Sequence, residues 1–203
     1  MNLNLIFGMK FEYAKGATPI DDSEAEGLIP THITLQKELN EWEQLNISRA
    51  ESKHYGKKYA YNKILDIYFI LNVHKDMFDE TWSWAGTIRN TEKNFGSAPE
   101  KIREHTKNLL DDVLYWITNN TYTKDEICVR FHHRLVFIHL FPNGNGRHAR
   151  FLADLLIQSF DLEPFTWGTK DLYYESEART NYLKSLREAD KYNYEPLLKF
   201  VRT

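Results

Sequence analysis

Helix-breaking residues are sparse and unevenly spread in this chain, and that spacing constrains its fold more than any other feature. Of six prolines and nine glycines in 203 residues, Pro19, Gly27 and Pro30 punctuate the first part, Gly86 and Gly96 bracket a middle segment, and Pro142, Gly144 and Gly146 crowd a third. The stretches between these clusters can run as helices of several turns. Residues 34–58 place Leu35, Leu39, Trp42 and Leu45 at three- and four-residue steps, an amphipathic stripe. Residues 62–78 are apolar on most sides, which predicts a central buried helix. A third helix is expected over 99–119, with Pro99 at N1 and a stripe of Ile102, Leu109, Leu110, Val113 and Ile117. Thr123 and Glu126 form a capping box for a helix running to about His139. Another helix begins near Asn145 and carries Phe151, Leu152, Leu155 and Leu156, and two more fill about 172–190 and 193–202. Residues 87–98 are too polar and too Gly-bounded for a buried helix and suit a β-hairpin or flap. The expectation is an all-α domain with one β-hairpin, residues 34–203, preceded by an N-terminal extension, 1–33.

Hydrophobic residues make up 42% of the chain, enough for a core. No run approaches the ~18 apolar residues of a membrane helix, so no membrane partner is expected. A net charge of −3 argues against a nucleic-acid partner, for which basic proteins are usual. Cys128 is the single cysteine, which excludes an intrachain disulfide and a cysteine-based zinc cluster. The start, Met1 to Phe7, lacks the positive region and long apolar run of a signal peptide, and a cytoplasmic protein is expected.

The segment His139-Leu140-Phe141-Pro142-Asn143-Gly144-Asn145-Gly146-Arg147-His148-Ala149-Arg150 concentrates the chemistry. An apolar helix ends in a histidine. Pro142 disfavours helix at Phe141, so the chain turns, and Gly144 and Gly146 permit backbone angles that other residues resist. The helix that follows presents N–H groups without internal partners at its positive end, an anion site suited to phosphate. Arg147 and Arg150, three residues apart, share a face of the first turn and can fork onto phosphate oxygens. A histidine just before such a cradle is placed to act as a base. A Gly-Asn-Gly turn or a helix-ending histidine alone would be unremarkable structure, but structure alone needs neither arginine.

The same residues resemble the signature of the Fic (filamentation induced by cAMP) family, His-x-Phe-x-(Asp/Glu)-Gly-Asn-Gly-Arg-x-x-Arg, with Asn143 at the acidic position. Trp84-Ala85-Gly86-Thr87-Ile88-Arg89 resembles the family's Trp-Ala-Gly-x-x-Arg before its flap, and Phe131-His132-His133-Arg134-Leu135 falls where its helix before the motif lies. Residues 27–34 and 142–150 resemble the subgroup called mobile mystery protein B. The likeness covers about residues 20–200. It implies a protein adenylyltransferase that moves AMP from ATP to a Ser, Thr or Tyr hydroxyl of a target protein and releases pyrophosphate. By position, His139 would be the base, Gly144, Asn145 and Gly146 the phosphate cradle, Arg147 and Arg150 the ligands of the β- and γ-phosphates, and Phe141 a core anchor. Mg²⁺ would be held chiefly by ATP and only weakly by the uncharged Asn143. The flap would clamp the target by strand addition, with Arg89, Lys93 and Asn94 near it. Family members are often restrained by a (Ser/Thr)-x-x-x-Glu-(Gly/Asn) helix; here Glu26-Gly27 matches its end while Asp22 stands at the hydroxyl position, so Glu26 is expected to pair with Arg150. An antitoxin-like regulator is the other source of restraint implied.

Two other readings come from different classes. A Doc-like phosphotransferase alters the cradle glycines, whereas Gly144 and Gly146 are kept here. A non-catalytic binding module would not need His139. His132 and His139 are seven residues apart and could share a face, but no carboxylate accompanies them, so zinc is not expected, and one of His132 and His133 is expected to pack behind the site, satisfied by a backbone carbonyl. Trp82 and Trp84 are expected in the core. Tyr173 and Tyr174 are candidate self-modification acceptors or simply part of a tyrosine-rich surface.

Overall fold

The structure, a computed structural model, describes residues 5–6, 9–10, 19–169, 172 and 176–203. Tyr173 and Tyr174 lie outside the described residues, as does most of the stretch read for a signal peptide. The element order is β1 (Leu5–Ile6), β2 (Met9–Lys10), α1 (Asp22–Ala25), α2 (Gln36–Tyr55), α3 (Tyr61–Ile64), α4 (Ile67–Phe78), α5 (Ile102–Thr118), α6 (Lys124–Ile138), α7 (Asn145–Gln158), α8 (Glu177–Ala189) and α9 (Glu195–Phe200). The two short strands pair antiparallel, Leu5 opposite Lys10. The architecture is all-α, as the spacing of breakers predicts. None of the described helices is long and apolar enough to cross a membrane.

Helix boundaries follow local chemistry. Residues 62–78 are expected as one helix but form two, because the Asp66 carboxylate accepts the Phe69 N–H at 2.9 Å and starts α4 afresh. Helix α8 starts at Glu177, not near 172, because the Ser176 hydroxyl caps the Arg179 N–H. Thr123 caps α6 through the Glu126 N–H at 3.2 Å.

The core forms where α4, α6 and α7 meet. Ile70, Val73 and Met77 of α4, Ile127 and Phe131 of α6, and Leu152, Ala153 and Leu156 of α7 are buried. Helix α4 packs on α2 and α7, α6 on α5 and α7, and α8 on α9. The link between α6 and α7, residues 139–144, therefore emerges between two helices fixed on several sides.

The segment expected as a β-hairpin differs. Among the described residues, 87–98 contain no strand. Its two ends are tied to the chain leaving α6 rather than to each other: the Arg89 N–H donates to the Leu140 carbonyl at 3.0 Å and the Ser97 N–H to the Ile138 carbonyl at 3.2 Å. With those donors committed, no ladder closes within the segment, and it stands as a loop over the end of α6.

The N-terminal residues are sewn on nearby. The Ile29 N–H donates to the Thr81 carbonyl and the Ser83 N–H to the Gly27 carbonyl, both at 2.9 Å, and Leu28 bridges Trp82. Gly27 is required because the Trp84 indole lies across it; a Cβ there would stand 2.5 Å from Trp84 Cδ1. Trp82 is buried and Trp84 packs on it, ring centroids 5.0 Å apart.

Asp66→Ala removes the cap of the central helix without touching the core. The expected loss is about 1 kcal/mol, read as a lowered urea midpoint with an unchanged slope.

Candidate active site

Helix α6 ends because His139 takes a left-handed conformation, φ 58°, ψ 65°, while its N–H still reaches the Leu135 carbonyl at 3.1 Å. Such a conformation is uncommon for a residue with a side chain and is held only where the surroundings enforce it. Phe141 is fully buried and stacks on His74, centroids 3.6 Å apart, which anchors the loop as expected of it. Asn145 closes the turn from the far side. Its Oδ1 accepts the Phe141 N–H at 2.9 Å and its Nδ2 donates to the Phe141 carbonyl at 2.7 Å. The Asn145 side chain therefore belongs to the scaffold, and only its backbone N–H is available to a cradle.

Gly144, φ 79°, is the N-cap of α7. A Cβ there would stand 2.6 Å from Phe78 Cζ, so no other residue fits. Gly146 faces the open side, where an added Cβ would meet only Arg150 Nη1 at 3.8 Å. The N–H groups of Asn145 and Gly146 fall in the first turn of α7, where no intrahelical acceptor exists.

The His139 ring is buried, and neither ring nitrogen has a hydrogen-bond partner among the described residues. Burial first, then the positive charges of Arg89 and Lys93, lowers its pKa to about 3. The Val136 carbonyl pulls the other way, but no hydrogen bond of normal geometry joins it to the ring. The imidazole is thus neutral near pH 7, with a lone pair to give. The loop 87–98 covers it: Phe95 meets the ring edge-on at 4.5 Å, and Gly96, φ 109°, lies so close that a Cβ would stand 2.7 Å from His139 Cβ.

The loop residues expected to meet a target differ in placement. Asn94 is exposed. Arg89 is buried, contrary to expectation, and its guanidinium donates to the carbonyls of His139 (2.6 Å), Thr91 (2.6 Å) and Ser97 (2.5 Å). It ties the loop to the histidine's backbone instead of reaching outward. The Lys93 ammonium is also enclosed, paired with Glu24 and with Asp21 at 3.1 Å.

That pairing corrects the reading of the N-terminal segment. Glu26 is exposed, and no ion pair joins it to Arg150 among the described residues. α1 is a single turn that directs Glu24 inward. Glu24 Oε1 accepts from the Thr91 hydroxyl at 2.6 Å, its other oxygen meets Lys93, and its carbonyl accepts the Trp84 indole N–H at 2.9 Å. Arg150 instead faces the Tyr182 phenol, with its guanidinium carbon 5.6 Å from the ring centroid.

Arg147 is committed elsewhere too. Its Nη1 donates to Glu43 Oε2 at 2.6 Å and its Nη2 to Asn143 Oδ1 at 3.0 Å. Asn143 Oδ1 also accepts the Gly144 N–H at 2.6 Å. Asn143 Oδ1 thus accepts from two donors, one on the Arg147 side chain and one on the backbone of the turn.

His132 and His133 are both buried, where one is expected to be, and each meets a side chain in place of the expected backbone carbonyl. His132 Nε2 meets the Tyr182 hydroxyl at 3.0 Å and His133 Nε2 meets Asp190 at 2.9 Å. Two partners gave no motif signal. Fully buried His74 joins the Gly86 N–H, 3.0 Å from Nδ1, to the Asn143 carbonyl, 3.0 Å from Nε2. A polar ring on a helix apolar on most sides was the one available hint. Glu43 is one acid among several on α2, and nothing in its spacing marks it.

Residues 64–157 match the Fic/DOC family. That match spans a little under half of the chain. Protein adenylyltransferase fic-1 of Caenorhabditis elegans is 30% identical over 120 residues, covering 58% of this chain and 22% of that protein. Protein adenylyltransferase Fic of Nematostella vectensis is 28% identical over 121 residues, covering 58% and 26%. The chain spans about a quarter of the length of these curated relatives. Among solved structures, Caenorhabditis elegans Fic-1 aligns with a TM-score of 0.59 at 24% identity, covering 79% of this chain and 48% of that one. The effector BepC of Bartonella tribocorum, with bound AMPPNP, aligns with a TM-score of 0.64 at 18% identity, covering 93% of each. The fold is the one these structures share.

Two predictions follow from buried charge and buried histidine. Glu24→Ala strands the Lys93 ammonium with Asp21 as its remaining carboxylate and should cost about 3 kcal/mol, with faster amide exchange over residues 88–97, whereas Glu26→Ala should change neither. The pKa values of His132 and His139 are lowered to about 3 and that of His148 to about 4, and burial holds His74 well below the usual histidine range. Unfolded histidines take up protons near pH 6.5, so between those limits the unfolded state binds more protons and stability rises with pH. Stability should be full above pH 6.5 and fall as pH drops toward 4, by up to about 1.4 kcal/mol per pH unit for each histidine. A urea midpoint unchanged between pH 7.5 and 5 would contradict this.

Proposed function

We propose that this chain is a protein adenylyltransferase, transferring AMP from ATP to a hydroxyl side chain of a target protein. The observation that carries the reading is the neutral, buried imidazole of His139, without a partner among the described residues and set shortly before the glycine turn that opens α7. The relatives named protein adenylyltransferase support it, as does the likeness to BepC with bound AMPPNP. Residues 27–34 and 142–150 extend the reading to the mobile mystery protein B subgroup.

In this reading the triphosphate lies against the first turn of α7, where backbone N–H groups and the helix dipole favour anions. Arg150 adds charge there. The target hydroxyl attacks the α-phosphorus, its oxygen forms the new P–O bond, the α–β anhydride bond breaks, and pyrophosphate leaves with the bond's electron pair. The hydroxyl proton passes to a ring nitrogen of His139. Bound phosphate favours the imidazolium and so raises the affinity of His139 for that proton. Magnesium belongs to this scheme as the cation of the Mg–ATP substrate. Loop 87–98 is where a target segment would lie, and Asn94 is its exposed polar contact. Restraint by a separate antitoxin-like protein and a cytoplasmic site of action belong to the same proposal.

His139→Ala should abolish the gain of one AMP by intact-mass spectrometry, with ATP affinity kept within about threefold because the phosphate contacts remain. A gain of phosphate instead of AMP in the unsubstituted protein, or transfer at an unchanged rate by His139→Ala, overturns the reading.

A further inference from the structure

The two arginines of the motif sit in opposite electrostatic settings. The guanidinium of Arg147 spans two protein acceptors, Glu43 Oε2 at 2.6 Å and Asn143 Oδ1 at 3.0 Å. Its other face lies over Phe78, 4.9 Å from the ring centroid. Glu43 comes from α2, and its side chain is 7% exposed against 16% for Arg147. The second Glu43 oxygen is fixed by the Trp82 indole N–H at 2.7 Å. Trp82 is itself fully buried, so the carboxylate cannot follow Arg147 if Arg147 moves. Arg150 makes no ion pair with a carboxylate among the described residues and faces the neutral Tyr182 phenol.

For Arg147 to fork onto a phosphate it must leave Glu43, and that would strand a buried carboxylate whose remaining donor is a neutral indole. Breaking such a pair one-sidedly is strongly unfavourable. Asn143, being neutral, offers Arg147 a hydrogen bond but no charge, whereas Glu43 offers both.

We propose that Glu43 is a positioning residue that withholds Arg147 from the anion site, making Arg147 a brace of the Asn143–Gly144 turn and leaving Arg150 and the α7 N–H groups to grip phosphate. Glu43 thereby sets the net positive charge of the cradle. The inference rests on reading the cradle as a nucleotide site.

The test is calorimetric binding of ATP, AMP and inorganic pyrophosphate to the full chain, unsubstituted and as Glu43→Gln, with folding checked by circular dichroism. Glutamine keeps an acceptor for Trp82 and gives up the charge. Glu43→Gln should bind ATP and pyrophosphate about tenfold tighter, and AMP, with less charge, by a smaller factor. The gain should vanish in the double variant Glu43→Gln/Arg147→Met. A purely structural Glu43 would not tighten binding, so unchanged or weaker ATP and pyrophosphate affinity in folded Glu43→Gln overturns the proposal. Should Glu43→Gln not fold, Arg150→Met must cost at least tenfold more pyrophosphate affinity than Arg147→Met; equal losses overturn it. Binding of pyrophosphate but not ATP would sink the nucleotide reading while leaving the Glu43 effect measurable. Binding of neither, by any form, overturns both.

Discussion

The neutral imidazole of His74 is the contact on which the rest of the site depends. It accepts the Gly86 N–H at one nitrogen and meets the Asn143 carbonyl at the other. Only the tautomer with hydrogen on Nε2 serves both, and protonation would set two donors against each other at Nδ1. Burial pushes its pKa well below the usual histidine range, so the ring stays in the form the two bonds need. Gly86 starts the stretch leading to the loop over His139, and Asn143 opens the turn of α7. One side chain from the central helix thus fixes both segments. Phe141 stacks on the same ring and Phe78 packs beside it, so the register of the turn is set by aromatic packing as well as by hydrogen bonds.

Around this centre, buried charges are held in pairs or by carbonyls, as desolvation requires. Lys93 is met by Glu24 and Asp21, Arg147 by Glu43, and Arg89 by three backbone carbonyls. Each of these contacts crosses between elements distant in sequence. The N-terminal segment, α2 and the 87–98 loop are therefore fixed to the site by charge satisfaction as much as by apolar packing. Removing one partner leaves another charge in low dielectric, so these links fail steeply and not gradually.

The local features of the site were legible because the chain carries them within twelve residues. Pro142 after Phe141, glycines at 144 and 146, and arginines three apart state a turn, a cradle and a helix start in sequence order. Helix positions were legible for the same reason, since period and caps are local. Glu43 meets Arg147 across 104 residues and Glu24 meets Lys93 across 69, and no spacing rule carries such information. The choice of Glu26 over Glu24 failed because α1 is only one turn long, so its inward face is set by the docking of Gly27 on Trp84 rather than by a helical period. The hairpin expected over 87–98 failed by competition: its polar, glycine-bounded sequence suits a strand pair, but the carbonyls leaving α6 took the donors first.

The buried histidines differ in one respect that bears on chemistry. His54 meets Tyr59 and Asp76, His74 meets two backbone groups, His133 meets Asp190, and His148 meets the Ile70 carbonyl. His132 is satisfied at one nitrogen by Tyr182. His139 alone among these has both ring nitrogens buried without a partner among the described residues, and it also holds the left-handed backbone. Buried polar atoms are ordinarily paired, and leaving one unmade costs about 1–3 kcal/mol. Packing forces alone would have selected an apolar residue here, or one with a partner. A fold that tolerates this cost at both nitrogens of the residue that ends α6, while giving each of the other imidazoles at least one partner, keeps a lone pair in reserve for a donor that arrives from outside the chain.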